Sequence, residues 1–243
     1  MIKLISIPFS VLAYLWFLFS IILFHPIQWI CLKLFGYQAH KVSVDVLDFF
    51  LITTLNFVLS RAKCENIELI PNGKPIIFVA NHQGIFDIVG MAWFFRKFHP
   101  KFVSKIELGR NIPSVSFNLK YGGSVLIDRK EPKQALPLMK QMGEYIEHHK
   151  RSTIIYPEGT RTRDGKPKEF AANGLKILCK YAPGAVVVPV TINNSWKVFR
   201  YGNFPLGMFN CVTFTVHKPI AVAETDFNSL FEYTQKAIVE GVR

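Results

Sequence analysis

The chain has 243 residues, of which half are hydrophobic, and its formal net charge is +12. This length allows one full-sized domain with a core of its own. The charge favours an anionic partner, but the sequence contains no zinc-finger spacing, no RNP-like aromatic strand and no basic region leading into heptads. These absences argue against nucleic acid as the partner and favour an anionic membrane surface.

The cysteine and histidine spacing argues against a metal site. No C-x-x-C pair occurs among the four scattered cysteines, so neither a disulfide framework nor structural zinc is indicated. The adjacent His148 and His149 have no carboxylate or cysteine partner at ligand spacing, which is typical of a solvated helix end. We therefore expect no metal.

The N-terminal part of the chain is a long apolar segment. Residues 4–32 contain no Asp, Glu, Lys or Arg. The stretch from Ile5 to Phe24, at about 1.5 Å per residue, is long enough to cross a hydrocarbon core of about 30 Å. We therefore predict a membrane-associated helical segment over residues 1–62. Because Pro26 interrupts the apolar region, the sequence is compatible with one spanning helix and with helices that enter and leave one leaflet.

The end of this segment is more polar. Residues 44–60 include Asp45 and Asp48, which favours a helix lying on the interface or packed on the domain over a second span. Basic residues follow the apolar run at Lys33, Lys41, Arg61 and Lys63. By the positive-inside rule, the rest of the chain is expected on the cytoplasmic side.

Short apolar runs alternate with amphipathic ones in the remainder of the chain. The predicted strands are Pro75–Ala80, Lys101–Ser104, Ser124–Ile127, Thr153–Tyr156, Ala185–Ile192 and Cys211–His217. The predicted helices are Ile85–Lys97, Lys133–His149, Ala171–Tyr181 and Phe227–Val239. This alternation predicts an α/β domain over residues 63–243, with a mixed, mostly parallel sheet flanked by helices.

A polar cluster follows the predicted strand Pro75–Ala80. It contains His82 and Asp87, which on a regular helix would point about 140° apart and could not meet. Across a strand-to-helix turn they can meet, and Gly84 would ease that turn. A carboxylate bonded to one imidazole nitrogen leaves the other nitrogen free to take a proton. The pair thus predicts a general base with its partner; the alternative is that Asp87 is an ordinary helix residue.

Cationic residues follow three other predicted strands. Arg129 follows Ser124–Ile127, Arg161 closes a turn after Thr153–Tyr156, and Lys105 follows a third strand. Guanidinium groups bind phosphate bidentately, so two of them at one sheet edge would form a strong anion site. The alternative is that each arginine is a solvated loop residue. A further apolar run over residues 187–192 predicts a buried strand that shapes the pocket wall.

Four segments of the chain resemble, in this order and at these separations, the four blocks of the 1-acylglycerol-3-phosphate acyltransferase (lysophosphatidic acid acyltransferase) family. They are residues 81–87, 122–129, 156–161 and 187–192. The resemblance covers roughly residues 65–220 and depends on the His-x4-Asp pair and on the Glu-Gly-Thr-Arg turn. Many members have Ser where this chain has Gly84, and Phe where it has Leu126 and Tyr156. These departures bear on the preference for acceptor or acyl chain and leave the acid, base and cation positions intact.

The resemblance implies transfer of a fatty acyl group from acyl-CoA or acyl carrier protein to the sn-2 hydroxyl of lysophosphatidate, giving phosphatidic acid for phospholipid biosynthesis. It makes His82 the base and Asp87 its orienting partner. The acceptor-site residues that it implies are Lys105, Arg129, Glu158, Gly159, Thr160 and Arg161. Because the substrate hydroxyl is itself the nucleophile, no bound cofactor is expected.

Two other functions are compatible with the sequence. One is an acyltransferase for glycerol 3-phosphate, a lyso-aminolipid or another lysophospholipid; the other is a non-catalytic membrane protein that binds anionic lipid. The second leaves the placement of His82 and Asp87 unexplained. We expect membrane phospholipids, lysophosphatidate and the acyl donor as partners, no nucleic acid, and a location at the cytoplasmic face of a bacterial inner membrane.

Overall fold

The computed structural model describes residues 2–128 and 131–243, which contain a mixed sheet of eight strands. The strands are β1 (Arg61–Glu65), β2 (Ile76–Ala80), β3 (Pro100–Lys105), β4 (Val125–Ile127), β5 (Ser152–Ile155), β6 (Val186–Asn193), β7 (Cys211–Val216) and β8 (Ile220–Ala221). They are ordered β1-β7-β6-β2-β5-β3-β4, and β8 pairs with β6. Only the β6–β7 and β6–β8 pairings are antiparallel among the described strands, so the predicted fold class is confirmed.

Eight α-helices are present in the described residues. They are α1 (Ile2–Ile52), α2 (Thr54–Phe57), α3 (Ile85–Phe94), α4 (Val115–Tyr121), α5 (Pro132–His149), α6 (Ala172–Tyr181), α7 (Ser195–Val198) and α8 (Phe227–Glu240). Short 3₁₀ turns lie at Ile67–Leu69, Arg96–Phe98, Ile106–Gly109 and Val222–Glu224. The predicted helix from Ile85 therefore ends earlier than expected, and its last turn is replaced by a 3₁₀ turn.

The two faces of the sheet bury two separate hydrophobic clusters. Along β2, the side chains of Ile76 and Phe78 pack with residues of α1 and α3, while Ile77 and Val79 pack with residues of α5, α6 and α8. Successive side chains of a strand point to opposite faces. Because both faces are covered, every residue of β2 and β6 is buried, as the continuous apolar runs in the sequence indicate.

Helix α1 is a hairpin of two limbs. At Gly36 the backbone has φ 81° and ψ −172°, a conformation that favours glycine, so the chain reverses there instead of near Pro26, which lies inside the first limb. The limbs pack together through Trp16, whose Nε1 donates to the Phe50 carbonyl at 2.9 Å and whose ring stacks on that of Phe50. The sequence left the geometry of this segment open; the structure shows the two limbs side by side.

The first limb of α1 also lies against the α/β part of the chain. Ser10 Oγ accepts a bond from the Leu206 N–H at 2.8 Å, and Ser114 Oγ donates to the Ile21 carbonyl at 2.6 Å. Within the described residues, Ile2–Phe57 is the one helical stretch whose length and apolar composition would allow it to cross a membrane. Its outer side exposes many large apolar side chains, which indicates membrane association.

The strand β1 begins at Arg61, two residues before the predicted domain boundary, and the boundary itself stays a prediction. The sequence did not predict β1 because its residues, Arg-Ala-Lys-Cys-Glu, include three charged side chains. Such a composition is typical of an edge strand, and β1 lies at the edge of the sheet beside β7.

A mainly apolar cavity of about 200 Å³ lies between the second limb of α1, α3, α4 and β3. At one end it is lined by Ile85, the first residue of α3, and by Ser104, near the end of β3. At the other end it is lined by His99 and Lys101, at the start of β3. The cavity therefore runs parallel to β3, from the carboxyl end of this strand to its amino end.

Lys101 is expected to destabilise the fold at neutral pH. It is only 7% exposed, and burial together with the nearby charge of Arg151 lowers its pKa from 10.5 to about 8. Because the unfolded chain binds this proton more tightly, the stability rises with pH between these two values. Lys101→Met should therefore raise the free energy of unfolding by roughly 2 to 3 kcal/mol at pH 7, and by little above the unfolded pKa.

Thermal unfolding in detergent at neutral and strongly alkaline pH measures this difference. The exposed Lys180→Met, on α6, is the control and should leave the midpoint unchanged at both pH values. A lower midpoint for Lys101→Met at neutral pH would contradict the prediction.

Candidate functional site

The end of β2 is held by a side chain that continues the sheet. Asn81 Nδ2 donates to the Ile192 carbonyl at 2.9 Å, and the Ile192 N–H donates to Asn81 Oδ1 at 2.7 Å. Because the Asn81 amide makes these bonds to β6, the main chain can leave the strand at this point. His82 therefore lies at the carboxyl edge of the sheet, in the short turn before α3.

His82 and Asp87 are in direct contact across this turn. His82 Nδ1 donates to Asp87 Oδ2 at 2.8 Å. The same carboxylate oxygen accepts the N–H groups of Gln83 and Gly84, the latter at 2.8 Å. Asp87 is fully buried, so three donors fix its position. The carboxylate in turn fixes the proton on Nδ1 and directs Nε2 of His82 away from the helix.

The ring of His82 is stacked on the side chain that follows β5. Its centroid lies 4.3 Å from that of Tyr156, with 20° between the two planes. Burial, and then the charge of Asp87, raise the pKa of Tyr156, so the phenol stays neutral. Among the described residues nothing bonds to Nε2 of His82, whose side chain is buried but keeps 10% of its surface exposed. The imidazole is therefore oriented with one nitrogen free to take a proton.

The loop after β5 clamps the backbone of His82. The His82 N–H donates to Glu158 Oε1 at 2.7 Å, and the Thr162 N–H donates to the His82 carbonyl at 2.8 Å. The second carboxylate oxygen, Glu158 Oε2, accepts the Lys168 N–H at 2.8 Å. Burial raises the pKa of Glu158, and these backbone bonds oppose the rise. One oxygen of Glu158 therefore joins the loop to His82, and the other joins two positions of the loop to each other.

Replacing Glu158 by Gln is expected to lower the free energy of unfolding by about 1–3 kcal/mol, because one accepting oxygen becomes an NH₂ group that faces an N–H donor. Glu169, which is exposed on the same loop, offers the matched control, and Glu169→Gln should have no measurable effect. Denaturant unfolding of the two variants in detergent compares them. Equal stability of both would show that the Glu158 bonds contribute nothing.

The Gly-Thr-Arg turn extends from this clamp toward the surface. Gly159 has φ 70°, a value that favours glycine, and its N–H donates to the Tyr156 carbonyl at 3.0 Å. Thr160 and Arg161 are exposed, and Lys168 Nζ donates to Thr160 Oγ1 at 2.7 Å and to the Arg161 carbonyl at 3.1 Å. No acidic partner of the Arg161 guanidinium occurs in the part of the chain that the structure describes.

Lys105 and Arg129 are the two remaining predicted cations of the site. Lys105 ends β3 at the same carboxyl edge as His82, is exposed, and lies 3.5 Å from Glu107 Oε1. Arg129 lies outside the described residues. The structure thus brings together His82, Asp87, Glu158 and the turn to Arg161, with Lys105 on the same edge of the sheet.

Several residues at this site were not predicted. The Gln83 side chain accepts the Ser195 N–H at 3.1 Å and donates to the Gly165 carbonyl at 3.3 Å, and Thr162 bonds to His82. Their partners lie far away in the sequence, so no local spacing could have identified them.

Gly84 is surrounded so closely that a side chain would not fit. A Cβ atom there would lie 2.7 Å from Ser195 Oγ and 3.3 Å from the ring of Phe199. Ser195, on α7, and Phe199, directly after it, therefore leave room only for glycine at position 84. No group of three or more His, Cys, Asp or Glu side chains within 2–128 and 131–243 is placed to hold a metal ion.

Curated proteins similar to this chain carry the name of one enzyme. Among curated relatives, the 1-acyl-sn-glycerol-3-phosphate acyltransferase LPAT1 of Arabidopsis thaliana chloroplasts is 28% identical over 167 residues, which are 68% of this chain and 45% of the relative. The enzyme of the same name from Helicobacter pylori is 31% identical over 147 residues, which are 59% of each chain. The chain spans about half the length of the curated relatives that it matches.

A solved structure has the same fold. The crystal structure of the 1-acyl-sn-glycerophosphate acyltransferase PlsC from Thermotoga maritima superposes with a TM-score of 0.77 and 24% identity, covering 96% of this chain and 94% of that one. The family model described as Acyltransferase matches residues 61–193, which is more than half of the chain and includes His82, Asp87 and the turn from Glu158 to Arg161. The chain therefore belongs to the Acyltransferase family.

Proposed function

We propose that the protein is a 1-acylglycerol-3-phosphate O-acyltransferase, which transfers a fatty acyl group from acyl-CoA or acyl carrier protein to the sn-2 hydroxyl of lysophosphatidate. The observation that carries the proposal is the His82–Asp87 pair, with one imidazole nitrogen free at the carboxyl edge of the sheet. Family membership and the names of the relatives support the same reaction, whose product is phosphatidic acid.

In this mechanism His82 acts as the general base. Its Nε2 takes the proton of the acceptor hydroxyl while the oxygen attacks the thioester carbonyl, giving a tetrahedral oxyanion. The carbon–sulfur bond then breaks, and the departing thiolate takes the proton back from His82. Because Asp87 already accepts the N–H groups of Gln83 and Gly84, backbone donors for the oxyanion come from Ile85 onward.

The phosphate of the acceptor would bind on the basic loop beside His82. Arg161 is exposed there without an acidic partner among the described residues, and Lys105 is on the same sheet edge. We assign the acceptor site to Lys105, Arg129, Glu158, Gly159, Thr160 and Arg161. In this site Glu158 and Gly159 shape the turn, while the cations bind the phosphate.

The apolar cavity is the proposed site of the acyl chain. It begins at Ile85, three residues after His82, and is lined along its length by residues such as Val89 and Leu47. A chain lying in it would have its carbonyl end near the imidazole. Burial of methylene groups in such a cavity supplies binding energy without polar contacts.

The α1 hairpin, within the proposed membrane segment 1–62, is assigned to one leaflet, with the catalytic domain 63–243 at the cytoplasmic face of a bacterial inner membrane. The bonds of Ser10 and Ile21 to the α/β part support this arrangement, because they hold the first limb along the domain. The basic residues after the apolar run support the cytoplasmic side. Acceptor and product could then stay in the bilayer.

The test is transfer of a labelled acyl group to lysophosphatidate in detergent micelles, from acyl-CoA and from acyl carrier protein. Glycerol 3-phosphate and lysophosphatidylethanolamine are offered in parallel as acceptors. The proposal expects phosphatidic acid as the main product with at least one donor. Preferred transfer to another acceptor would replace the proposed substrate, and lipid binding without transfer to any acceptor would favour a non-catalytic protein.

Arg161→Ala is expected to raise the KM for lysophosphatidate by about 10- to 100-fold, since a charge-assisted bond contributes about 1.5–3 kcal/mol. The kcat should change less, because the bond exists before the transition state. Arg163→Ala, two residues further along the loop, is the control. Steady-state kinetics with monoacylglycerol as a second acceptor complete the measurement; an equal loss on this phosphate-free acceptor would contradict a phosphate-binding role.

A further inference from the structure

Three large exposed apolar side chains lie on the segments that lead into β1 and β7. They are Leu59, Phe204 and Phe209, which are 53%, 48% and 65% exposed, and are called the edge patch below. None of these residues belongs to α1 or to the site described above. Large exposed apolar side chains that lie together often mark an interaction surface.

The sheet topology explains why the edge patch and His82 share one edge. Strand β6 is parallel to β2, whereas β7 is antiparallel to β6 and therefore begins where β6 ends. Strand β1 is parallel to β7, in the register Arg61 to Cys211. Leu59 and Phe209 each lie two residues before these strand starts. Both therefore lie at the carboxyl edge of β2, which is followed by His82.

The segments that carry the edge patch are firmly held. The Phe209 N–H donates to the Val58 carbonyl at 3.3 Å, and the Arg61 N–H donates to the Asn210 carbonyl at 2.9 Å. The Asn210 N–H donates to Ser60 Oγ at 2.9 Å, and its side chain bonds to Arg200. The patch is therefore formed before any partner binds.

Two residues of the edge patch have unfavourable backbone conformations. The φ angle is 50° at Leu59 and 59° at Phe209, in the left-handed region that Gly and Asn adopt more easily. Strain of this kind persists where the surrounding structure imposes it, and it is often found at functional positions. Because both side chains point to solvent, packing in the core does not account for a Leu and a Phe there.

The edge patch continues the exposed apolar side of α1. The ring of Phe204 lies 6.3 Å from that of Tyr14, between centroids, and Tyr14 OH donates to the Asn203 carbonyl. Leu206 is bonded to Ser10 on the same limb. The two surfaces therefore meet at this contact.

The chain segments that carry the edge patch have charges of one sign. Residues 1–44, 49–64 and 170–223 contain no Asp or Glu, and these ranges include the patch and the first limb of α1. The cations nearest to it in sequence are Lys3, Arg61, Lys197 and Arg200. An apolar surface with a basic border is complementary to anionic headgroups above hydrocarbon.

We propose that the edge patch inserts into the headgroup region of an anionic bilayer as a second membrane contact, contributed by the α/β domain in addition to α1. This contact turns the edge that carries His82 toward the lipid. The inference rests on the membrane association proposed above. Its test measures lipid contact and not turnover, so it can fail while the proposed reaction stands, and the reverse also holds.

The experiment places one fluorescent amino acid at position 209 of the full chain by nonsense suppression. The protein is mixed with phosphatidylcholine vesicles that contain phosphatidylglycerol, and emission is quenched with nitroxide lipids or with aqueous iodide. Position 136 is the matched control, because Leu136 is 52% exposed but lies on α5, on the opposite face of the sheet from α1. If a label at 209 disturbs the fold, positions 59 and 204 test the same patch.

The proposal expects the nitroxide lipid to lower emission at position 209 by at least about twofold while iodide quenching there falls, with position 136 unchanged. The lipid effect should weaken in vesicles of phosphatidylcholine alone. Continued iodide access at position 209 on bound protein would overturn the proposal and leave the patch to a protein partner. Equal lipid quenching at both positions would overturn it as well, because the domain would then have no preferred side.

Discussion

His82→Ala is expected to lower kcat by about 10²- to 10⁴-fold, which is the range that general-base catalysis supplies. The KM for lysophosphatidate should change little, because the phosphate contacts assigned to Arg161 remain. Steady-state assays with labelled acyl donor measure both constants. Since the His82 side chain is largely enclosed between Asp87 and Tyr156, an unfolding measurement must accompany the kinetics.

The control for this variant is His148→Ala, on the exposed end of α5, which should transfer acyl groups at the wild-type rate. A His82→Ala enzyme that keeps more than about a tenth of the wild-type kcat would exclude the base assignment. General-base catalysis contributes at least about 100-fold to the rate, so its loss would lower kcat further than that. The unfolding midpoint of His82→Ala separates loss of chemistry from loss of structure.

Asp87→Asn is expected to lower kcat by a comparable factor, about 10²- to 10⁴-fold, through a different cause. Asp87 Oδ2 accepts three donors, and an amide in its place can present an NH₂ group to His82 instead of an acceptor. The imidazole would then lose its fixed tautomer. The free energy of unfolding should also fall by about 1–3 kcal/mol, because buried N–H groups lose an acceptor.

The kinetic readout distinguishes this orienting role from a purely structural one. In an orienting role the loss lies in kcat, because the imidazole loses its fixed tautomer, while Asp164→Asn on the exposed loop leaves kcat unchanged. If the fully folded Asp87→Asn enzyme showed a wild-type kcat, the contact between Asp87 and His82 would have no part in the reaction.

The central strands could be predicted from the sequence because the side chains on both of their faces are buried. All eight residues of β6 are buried, so the run Val-Val-Val-Pro-Val-Thr-Ile is apolar without alternation. The edge strand β1 and the short β8 offered no such pattern, because their stability comes from pairing with β7 and β6. The reversal at Gly36 was also missed, since one glycine in an apolar run does not by itself indicate a hairpin.

At the site, local spacing predicted the contact that lies within one turn. His82 and Asp87 are five residues apart, and the strand-to-helix geometry between them follows from the residues alone. The clamp by Glu158 could not be predicted, because it joins positions 76 residues apart and uses backbone groups that any residue would supply. The assignment of Glu158 to the acceptor site therefore stays a prediction beside its observed structural bonds.

The order of the strands has a consequence for synthesis of the protein on the ribosome. Strand β2 lies between β5 and β6, so the bonds that hold the end of β2 join positions as far as 111 residues apart. The catalytic edge can form only after most of the chain has been made. Helix α1, with its exposed apolar side, precedes β2 and leaves the ribosome long before then. The nascent chain can therefore reach a bilayer first and fold its α/β part against that surface.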